Sequence, residues 1–389
     1  MEVKKYQVTI IYKTLPQYRR KFFELLKERL DQHGVELNLI YGQPGIKDAA
    51  KKDTVDLPWA HKITNHIIRV GNRELYWQPC IKLLKKSDLV IVEQASKLLV
   101  NYYLFAAHLA GRRKMAFWGH GKNFQGHTAS SLGENVKRFL SRRVHWWFSY
   151  NQTSADVVRE IGFPEEKITI VQNAIDTKQL TDISAALGPS ELDQLKLELG
   201  INSNQICIYA GGMYEEKRLP FLLEACKLIR KQVPDFHMIF IGAGSEDNLV
   251  KEAAAKDDWI HYVGPKFDAA KVPYFEISKL FLMPGLVGLA ILDTFALGVP
   301  IVTTEVPYHS PEIEYLVNDY NGVICKDAED IVQYADTVIK LLQNDVKHAK
   351  LVKACLETGS VYTVEEMADR FAQGVLLAMG VEGARVEVC

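Results

Sequence analysis

The fold is decided by the stretch Met283-Pro-Gly-Leu-Val-Gly-Leu-Ala-Ile-Leu-Asp-Thr-Phe-Ala-Leu-Gly-Val-Pro-Ile-Val-Thr-Thr304. It predicts a strand end, a glycine loop, a short helix and a second strand, as in a parallel α/β sheet. Such a loop offers backbone N–H groups to an anion at the helix start. Asp293, one to two turns further on, is placed to bind a sugar diol, as acidic side chains bind ribose in nucleotide folds. The stretch favours a nucleotide diphosphate sugar, although glycines that serve only packing would leave the same pattern.

The composition is that of a globular protein with two domains. The chain has 389 residues, of which 48% are hydrophobic and 24% are charged, enough for two cores. No apolar run approaches the roughly 20 residues that span a bilayer, and Met1–Lys5 leads directly into a strand without a signal-peptide core. We therefore expect a cytoplasmic protein. The six cysteines form no Cys-x-x-Cys pair, which favours reduced core residues over a disulfide framework or a zinc site.

The net charge of −1 hides a division between the two halves of the chain. Residues 1–175 contain 28 Lys and Arg against 16 Asp and Glu, whereas the remainder contains 19 against 32. A basic half suits an anionic partner, such as a membrane leaflet or a phosphorylated acceptor. Two oppositely charged domains that merely attract each other would give the same counts.

Alternating β-branched runs and helical patterns predict an α/β protein of two Rossmann-like domains that face a central cleft. We expect an N-terminal domain over residues 1–178 and a C-terminal domain over residues 179–363, separated by a polar linker near residue 180. The final helical pattern, residues 364–380, follows a second domain that is already complete, so we expect it to pack back onto the first. Trp146 and Trp147 lie in a strand pattern and are predicted to be core residues rather than membrane contacts.

A second glycine loop follows the predicted strand Gln205 to Ala210. In Gly211-Gly-Met-Tyr-Glu-Glu-Lys217-Arg218 the glycines allow close backbone approach, and Lys217 begins the next helix, where it could bind phosphate oxygens. An exposed lysine at a helix start is the simpler alternative. The later Gly242-Ala-Gly lacks the third glycine of the dinucleotide fingerprint and is weak evidence for a dehydrogenase.

In the first half, candidate residues follow three predicted strands. His120 lies between two glycines at a strand end, where it could bind the donor sugar or stabilise charge, or could be a structural histidine. The residues that we predict to bind the acceptor are Gln17, Arg19, Glu93, Gln94 and Lys122. For the arginine, a solvated helix face is the common alternative.

With these motifs, the chain resembles the retaining glycosyltransferases of family 4, also called group 1, which have the two-domain GT-B fold. The resemblance covers most of the chain and rests on three motifs in the right order: Asn173-Ala-Ile-Asp176, Gly211 to Lys217, and Pro284 to Pro300. It implies that His120 and Lys217 are the catalytic residues. The donor-binding residues that follow from the loops and the resemblance are Gly211, Gly212, Arg218, Gly285, Val287, Gly288, Leu289, Ala290 and Asp293.

The chain also departs from the family pattern. The last motif of the family has two glutamates eight residues apart, and here Gly285 occupies the first position and Asp293 the second. The phosphate-binding arginine of the family is replaced by Gly212, for which Arg218 could compensate. His309-Ser-Pro-Glu312 with Asn321-Gly322 resembles another segment of the family.

The resemblance implies transfer from a nucleotide diphosphate sugar, with a UDP-sugar favoured, to a lipid-linked or polysaccharide-precursor acceptor. Lys217 and loop amides would stabilise the leaving diphosphate, so we expect neither a cofactor nor a metal. Further expectations are a peripheral contact with anionic membrane and no nucleic-acid partner. Two alternatives stay open: a nucleotide-sugar epimerase of the same fold, and a non-catalytic protein that binds membranes or another subunit.

Overall fold

The structure is a computed structural model that describes residues 6–45, 53–71, 73–121 and 138–381. Its contacts divide the chain into two compact units, residues 1–175 with 364–389 and residues 176–363. The boundaries predicted from the sequence, 178 and 364, lie close to this division. Over the described residues, no helix combines the length and the apolar character that crossing a membrane requires.

The first unit contains a seven-stranded parallel sheet and a separate antiparallel hairpin. The sheet has the order β3-β2-β1-β6-β7-β8-β9, and the hairpin pairs β4 with β5. The strands are β1 (Tyr6–Thr14), β2 (Val35–Gly42), β3 (His61–Ile63), β4 (His66–Val70), β5 (Arg73–Trp77), β6 (Leu89–Glu93), β7 (Lys114–Gly119), β8 (Trp146–Ser149) and β9 (Ile168–Ile170). The α-helices among the described residues of this unit include Arg20–Gln32, Val100–Leu109, Gln152–Glu160 and Val364–Met379. Parallel strands buried on both faces account for the continuous apolar runs of the sequence.

The C-terminal helix belongs to the first unit. Val364–Met379 packs against helix Arg20–Gln32, and the Phe371 ring stacks on Phe148 with ring centroids 4.3 Å apart. Gly374 allows this approach, because a Cβ there would lie 2.4 Å from Thr169 Oγ1. Trp146 and Trp147 are both buried, as the sequence predicted for core residues.

The second unit is a six-stranded parallel sheet in the order β12-β11-β10-β13-β14-β15. Its strands are β10 (Ile206–Ala210), β11 (His237–Ile241), β12 (Ile260–Gly264), β13 (Leu280–Leu282), β14 (Ile301–Thr304) and β15 (Gly322–Cys325). Its α-helices are Thr177–Ala186, Pro189–Glu198, Leu219–Gln232, Asp247–Lys256, Val272–Glu276, Ala290–Ala296, Ile331–Leu342 and Asp345–Gly359. Both units are Rossmann-like, as the sequence predicted.

Local chemistry fixes several of the helix ends. The Asn151 side chain accepts a hydrogen bond from the Ser154 N–H, 3.0 Å away, and so caps helix Gln152–Glu160. Helix Ala290–Ala296 ends before Gly298, whose φ of 64° is the left-handed conformation that glycine favours. The same glycine lets the chain turn directly into β14.

Candidate active site

Two loops of the second unit meet at the carboxyl edge of its sheet. The loop after β10 runs to Lys217, and the loop after β13 runs through Gly285 to Leu289; the two strands are neighbours in the sheet. The Leu286 N–H donates to the Glu216 carbonyl, 2.8 Å away, and so joins the loops through their backbones. Carboxyl ends of parallel strands are where open α/β sheets bind ligands.

Lys217 is a buried cation at this junction. Its side chain is only 5% exposed, and its ammonium donates to the Leu286 carbonyl and lies 5.4 Å from the centroid of the Tyr214 ring. Within the described part of the chain, no carboxylate lies within salt-bridge distance of the Lys217 ammonium. Burial lowers the pKa of Lys217 from 10.5 to about 8, although nearby Glu216 acts in the opposite direction. A buried ammonium that lacks a counter-ion is suited to an anionic ligand.

The charge of Lys217 therefore costs stability in the unliganded protein. Between about pH 8 and 10.5 the unfolded chain holds the Lys217 proton and the folded chain does not, so the free energy of unfolding rises with pH. We expect Lys217→Met to be more stable than the wild type by about 3 kcal/mol at pH 7, with the difference disappearing near pH 10.5. Urea denaturation of both proteins across this range measures it. A pH-independent difference would contradict the assignment of a buried charge to this side chain.

Gly285 is required by the close approach of the two loops. A Cβ at this position would lie 2.2 Å from the Glu216 carbonyl oxygen and 2.5 Å from the Lys217 carbonyl carbon. The backbone of the Lys217 loop thus occupies the space where the glutamate side chain of the family would begin. The departure from the family pattern at this position is a matter of backbone packing.

His309 binds one of the loop amides that the sequence analysis assigns to the donor. The Val287 N–H donates to His309 Nδ1, 3.0 Å away, so the ring proton lies on Nε2, which donates to the Thr304 carbonyl at 2.8 Å. Burial lowers the pKa of His309, which keeps the ring neutral at pH 7. With the Leu286 and Val287 N–H groups engaged, those of Gly288, Leu289 and Ala290 are the loop amides that begin helix Ala290–Ala296.

Asp293 is buried and paired with a lysine that sequence reasoning missed. Its carboxylate is 5% exposed and accepts a hydrogen bond from Lys271 Nζ, 2.7 Å away. Burial raises the pKa of Asp293, and Lys271 lowers it. Lys271 ends a 3-10 turn, Asp268–Lys271, that no motif marks, so only the folded chain brings the two residues together.

This ion pair should behave as one unit. Removing either charge alone strands the other in a buried site, so Asp293→Asn and Lys271→Met should each lower the free energy of unfolding by about 2–3 kcal/mol. The double variant should be no less stable than either single variant, because it leaves no unpaired charge. Urea denaturation of the wild type, the two single variants and the double variant completes this double-mutant cycle. Strictly additive losses of stability would show that the two side chains are not coupled.

The surroundings of Gly212 and Arg218, two further residues predicted to bind the donor, differ from those that the sequence suggested. A Cβ at Gly212 would lie 2.7 Å from Tyr214 Cε1, so an aromatic ring occupies the place of the arginine in the family. Arg218, in the left-handed conformation with φ 57°, donates to the Ala328 carbonyl at 2.6 Å and pairs with Glu329 at 2.9 Å. Its guanidinium is thus turned toward residues 328 and 329, which does not support the suggestion that it replaces the missing arginine.

The glycines after β11 serve packing. A Cβ at Gly242 would lie 1.9 Å from the Gly211 carbonyl oxygen, and one at Gly244 would lie 2.1 Å from the Met213 carbonyl oxygen. Both glycines let the neighbouring strand support the Gly211–Met213 backbone. The Gly-x-Gly motif therefore has a structural role beside the site.

In the first unit, His120 lies at the carboxyl edge of the sheet, just beyond β7. Its Nδ1 lies 3.4 Å from Ser154 Oγ, and its ring centroid lies 4.3 Å from that of Tyr150. Glu93, at the end of β6, accepts a hydrogen bond from the Lys13 N–H, and burial raises its pKa. The Gln94 amide is bound internally, since it donates to the Gly121 carbonyl at 3.1 Å and to Ser141 Oγ at 3.0 Å.

The position of Arg19 contradicts the prediction that this residue binds the acceptor. We expected it to meet an anionic acceptor, but its side chain is 1% exposed, and its guanidinium donates to Asn173 Oδ1 and to the Ala174 carbonyl. It also lies 5.3 Å from the centroid of the Trp118 ring. Arg19 is therefore a structural residue that holds the Asn173 end of the linker motif.

Three further residues of the sequence analysis are Asp176, the first residue of the second unit, and Gln17 and Lys122 of the first half of the chain. Asp176 caps helix Thr177–Ala186 by accepting from the Gln179 N–H at 3.1 Å, which explains the other end of the linker motif. Gln17 is half-buried in the turn before helix Arg20–Gln32. Lys122 lies outside the described residues.

Comparison with known proteins agrees with this arrangement. Residues 204–344 match the model of the family described as glycosyl transferases group 1. The second unit is a group 1 glycosyltransferase domain. The match includes both loops of the site, with Lys217 in one and Gly285 to Asp293 in the other.

Curated relatives match about half of the chain, and a solved structure extends the similarity in fold to nearly all of it. An uncharacterized glycosyltransferase of Haemophilus influenzae is 24% identical over 53% of this chain and 61% of its own length. A phosphatidyl-myo-inositol mannosyltransferase of Mycobacterium leprae is 24% identical over 46% of this chain and 48% of its own length. The matches thus span about half to three-fifths of these relatives. The Anabaena protein Alr3699/HepE, solved in complex with UDP, has 15% identity and a TM-score of 0.70 over 95% of this chain and 99% of its own. Each unit therefore has the fold expected of a GT-B protein.

In this group 1 domain, the sequence identified both loops and Lys217 but neither Lys271 nor the bonding of His309. Within the residues that the structure covers, no group of three or more His, Cys, Asp or Glu could hold a metal ion. Independence from metal stays a prediction.

Proposed function

We propose that the chain is a retaining glycosyltransferase that moves a sugar from a UDP-sugar to a glycan or lipid-linked acceptor. One observation carries this proposal: Lys217 is a buried ammonium with no carboxylate partner in the described residues, at the meeting point of two loops of a group 1 domain. The diphosphate of a bound donor would supply the negative charge that the Lys217 ammonium lacks as a partner. The proposal for UDP is supported by the UDP complex of the Anabaena protein, and that for a lipid acceptor by the mannosyltransferase of M. leprae.

The chemistry follows from charge. Breaking the bond between the sugar and the phosphate leaves a nucleotide diphosphate with additional negative charge and an oxocarbenium-like sugar. The Lys217 ammonium would neutralise that charge in a buried site, where an electrostatic interaction is stronger than in water. The N–H groups of Gly288, Leu289 and Ala290 would assist it. In the retaining reaction, the acceptor oxygen attacks on the face that the diphosphate leaves, and a diphosphate oxygen takes up the acceptor proton.

The other residues have supporting roles in this proposal. Asp293, held by Lys271, would bind the ribose hydroxyls of the donor nucleotide. His120 would hydrogen-bond the donor sugar, and Glu93, half-buried at the end of the adjacent strand β6, would bind acceptor hydroxyls. The basic first half would favour an anionic acceptor or membrane in the cytoplasm.

A donor screen tests the proposal. Thermal unfolding is measured with UDP-, GDP-, ADP- and dTDP-sugars, and the release of nucleotide diphosphate is then assayed with the best binder. We expect UDP-sugars to raise the melting temperature, and UDP release to accelerate when glycan or lipid acceptors are added. The glycoside that is formed from the acceptor would keep the anomeric configuration of the donor sugar.

Two outcomes would overturn the proposal. Conversion of the donor sugar in the absence of any acceptor, without loss of the nucleotide, would show an epimerase. No shift with any nucleotide sugar at millimolar concentration would favour a non-catalytic protein.

A further inference from the structure

Nine basic residues of the first unit lie at the amino edge of its sheet. Three consecutive connections, residues 81–88, 109–114 and 138–145, lead into the neighbouring strands β6, β7 and β8. Together they contain nine Lys and Arg and a single acidic residue, Asp88. Because the strands are parallel, their amino ends lie along one edge of the sheet. We call this edge the basic belt; its members are Lys82, Lys85, Lys86, Arg112, Arg113, Lys114, Arg138, Arg142 and Arg143.

The charges of the belt have no carboxylate partner among the described residues, and all but one of them are exposed. Eight of the nine side chains are exposed, and the ninth, Arg113, is half-buried and donates to the Leu84 and Ser87 carbonyls. Among the described residues, no carboxylate lies within 4 Å of any of the nine. Asp88 is engaged by the backbone N–H of Gln7, 2.9 Å away. The three connections, with nine cations and one acidic residue, carry a net charge of +8 out of the +12 of residues 1–175.

Each of the three connections also exposes a large apolar side chain. Leu83 is 39% exposed, Leu109 is 55% exposed and Phe139 is 45% exposed. The guanidinium of Arg143 lies 4.1 Å from the centroid of the Phe139 ring, so charge and apolar surface are directly adjacent. Beside Leu83, a cavity of about 350 Å³ is lined by three cations, Lys82, Lys85 and Lys86, by one carboxylate, Glu36, and by Trp59. Basic side chains interspersed with apolar ones match the interface of an anionic bilayer, which offers phosphate groups and acyl chains together.

We propose that the basic belt is a docking surface for an anionic phospholipid bilayer. This deepens the proposed function, which expects an anionic membrane, by naming the surface that meets it. Two of the three exposed apolar side chains, Leu83 and Leu109, are leucines; they favour a bilayer over nucleic acid, since single-stranded nucleic acid is bound by aromatic stacking beside basic residues. The belt lies at the amino edge of the sheet, whereas His120 and Glu93 lie at the carboxyl edge of the same sheet. Docking residues and proposed reaction residues are thus separate and can be changed independently.

Vesicle co-sedimentation of the full chain tests the belt. The vesicles contain phosphatidylcholine alone or equal amounts of phosphatidylcholine and phosphatidylglycerol, and the variants are K82E/K85E/K86E and R142E/R143E. Each basic residue near an anionic surface contributes about fivefold to binding, so the triple variant should bind about a hundredfold more weakly. A matched control, K231E/K340E/K350E, changes three exposed lysines of the second unit and should bind as the wild type does. Circular dichroism verifies that each variant is folded.

The contribution of the apolar side chains to vesicle binding is tested with a variant that leaves the charge of the belt unchanged. L109S/F139S should weaken binding to the mixed vesicles severalfold, because it removes the side chains that enter the interface. Unchanged binding of this variant would overturn the bilayer as the occupant. Equal binding of the wild type to both vesicle types, or equal losses in the belt and control variants, would also overturn the proposal.

Two further measurements separate a bilayer from a nucleic acid as the partner, and the belt from the donor site. If the wild type ignores vesicles but binds a single-stranded oligonucleotide, and the belt variants lose that binding, the belt is a nucleic-acid surface and the proposal is wrong. UDP binding is measured on the same proteins. Loss of vesicle binding with normal UDP binding in the belt variants supports the belt, whereas absence of UDP binding in the wild type contradicts the proposed function and leaves the vesicle result standing.

Discussion

Lys217→Met should lower the rate of UDP release from the donor by about 10²–10³-fold, the effect of losing one preorganised donor at a developing anion. The ammonium is buried and at the junction of the two loops, so neither water nor Arg218 can take its place: the Arg218 guanidinium is bound to the Ala328 carbonyl and Glu329. Methionine retains most of the volume of lysine, so the two loops should stay together. The assay is release of UDP with and without acceptor.

The same substitution should raise the free energy of unfolding at pH 7. A loss of turnover in this variant therefore cannot be attributed to unfolding. A variant that is more stable and nearly inactive is the signature of a residue kept for function at a cost in stability. Lys231→Met, which removes an exposed charge of the same unit, is the control and should retain wild-type turnover. If Lys217→Met keeps wild-type turnover, the proposed role of the ammonium is wrong.

Gly285→Ala should lower the free energy of unfolding by about 3 kcal/mol or more, because the new Cβ meets backbone atoms of Glu216 and Lys217 that cannot rotate away. The loops would have to separate, which would break the Leu286 N–H to Glu216 carbonyl bond and displace the Lys217 ammonium from the Leu286 carbonyl. Donor turnover should therefore fall together with stability. Urea denaturation and UDP release measure the two effects.

Gly288→Ala is the matched control for stability in the same loop. A Cβ at Gly288 would lie 3.5 Å from Ser310 Oγ, an ordinary contact, so this variant should unfold at the same urea concentration as the wild type. Equal stabilities of the two alanine variants would show that the loops are not packed as described. Gly285→Glu should be no better than Gly285→Ala, since both begin with the same Cβ.

The sequence predicted those parts of the site whose signals are local. The loop after β13 could be read from its glycines and from the helix and strand that follow, and Lys217 from its position at a helix start. The C-terminal helix was predicted over residues 364–380 and is found at Val364–Met379, because its apolar periodicity is continuous. The assignment to group 1 glycosyltransferases rests on the order of three motifs and needs no tertiary information.

The parts that the sequence missed depend on contacts between distant residues. Lys271 lies 22 positions before Asp293, on a turn without a motif, so their ion pair exists only once the fold has formed. The burial of Arg19 depends on Asn173 and Met367, which are 154 and 348 positions away. A basic residue beside Tyr18 and Arg20 has the composition of an exposed face, and nothing local distinguishes it from one. The antiparallel hairpin β4–β5 was also missed, although the dipeptide Gly71-Asn72 between two alternating runs of the sequence is a local signal for a hairpin.

Proton uptake on UDP binding tests the central claim most directly. In the free protein, burial lowers the pKa of Lys217 to about 8, so at pH 8 the side chain is protonated in about half of the molecules. A bound diphosphate favours the ammonium, so UDP binding should take up about half a proton per site at pH 8, where the UDP phosphates are already ionised, whereas at pH 6 Lys217 is already protonated and takes up almost none. Calorimetric titrations in buffers of different ionisation enthalpy measure this number. The account predicts uptake at pH 8 that disappears in Lys217→Met; UDP binding without proton uptake, or with the same uptake in the variant, would contradict it.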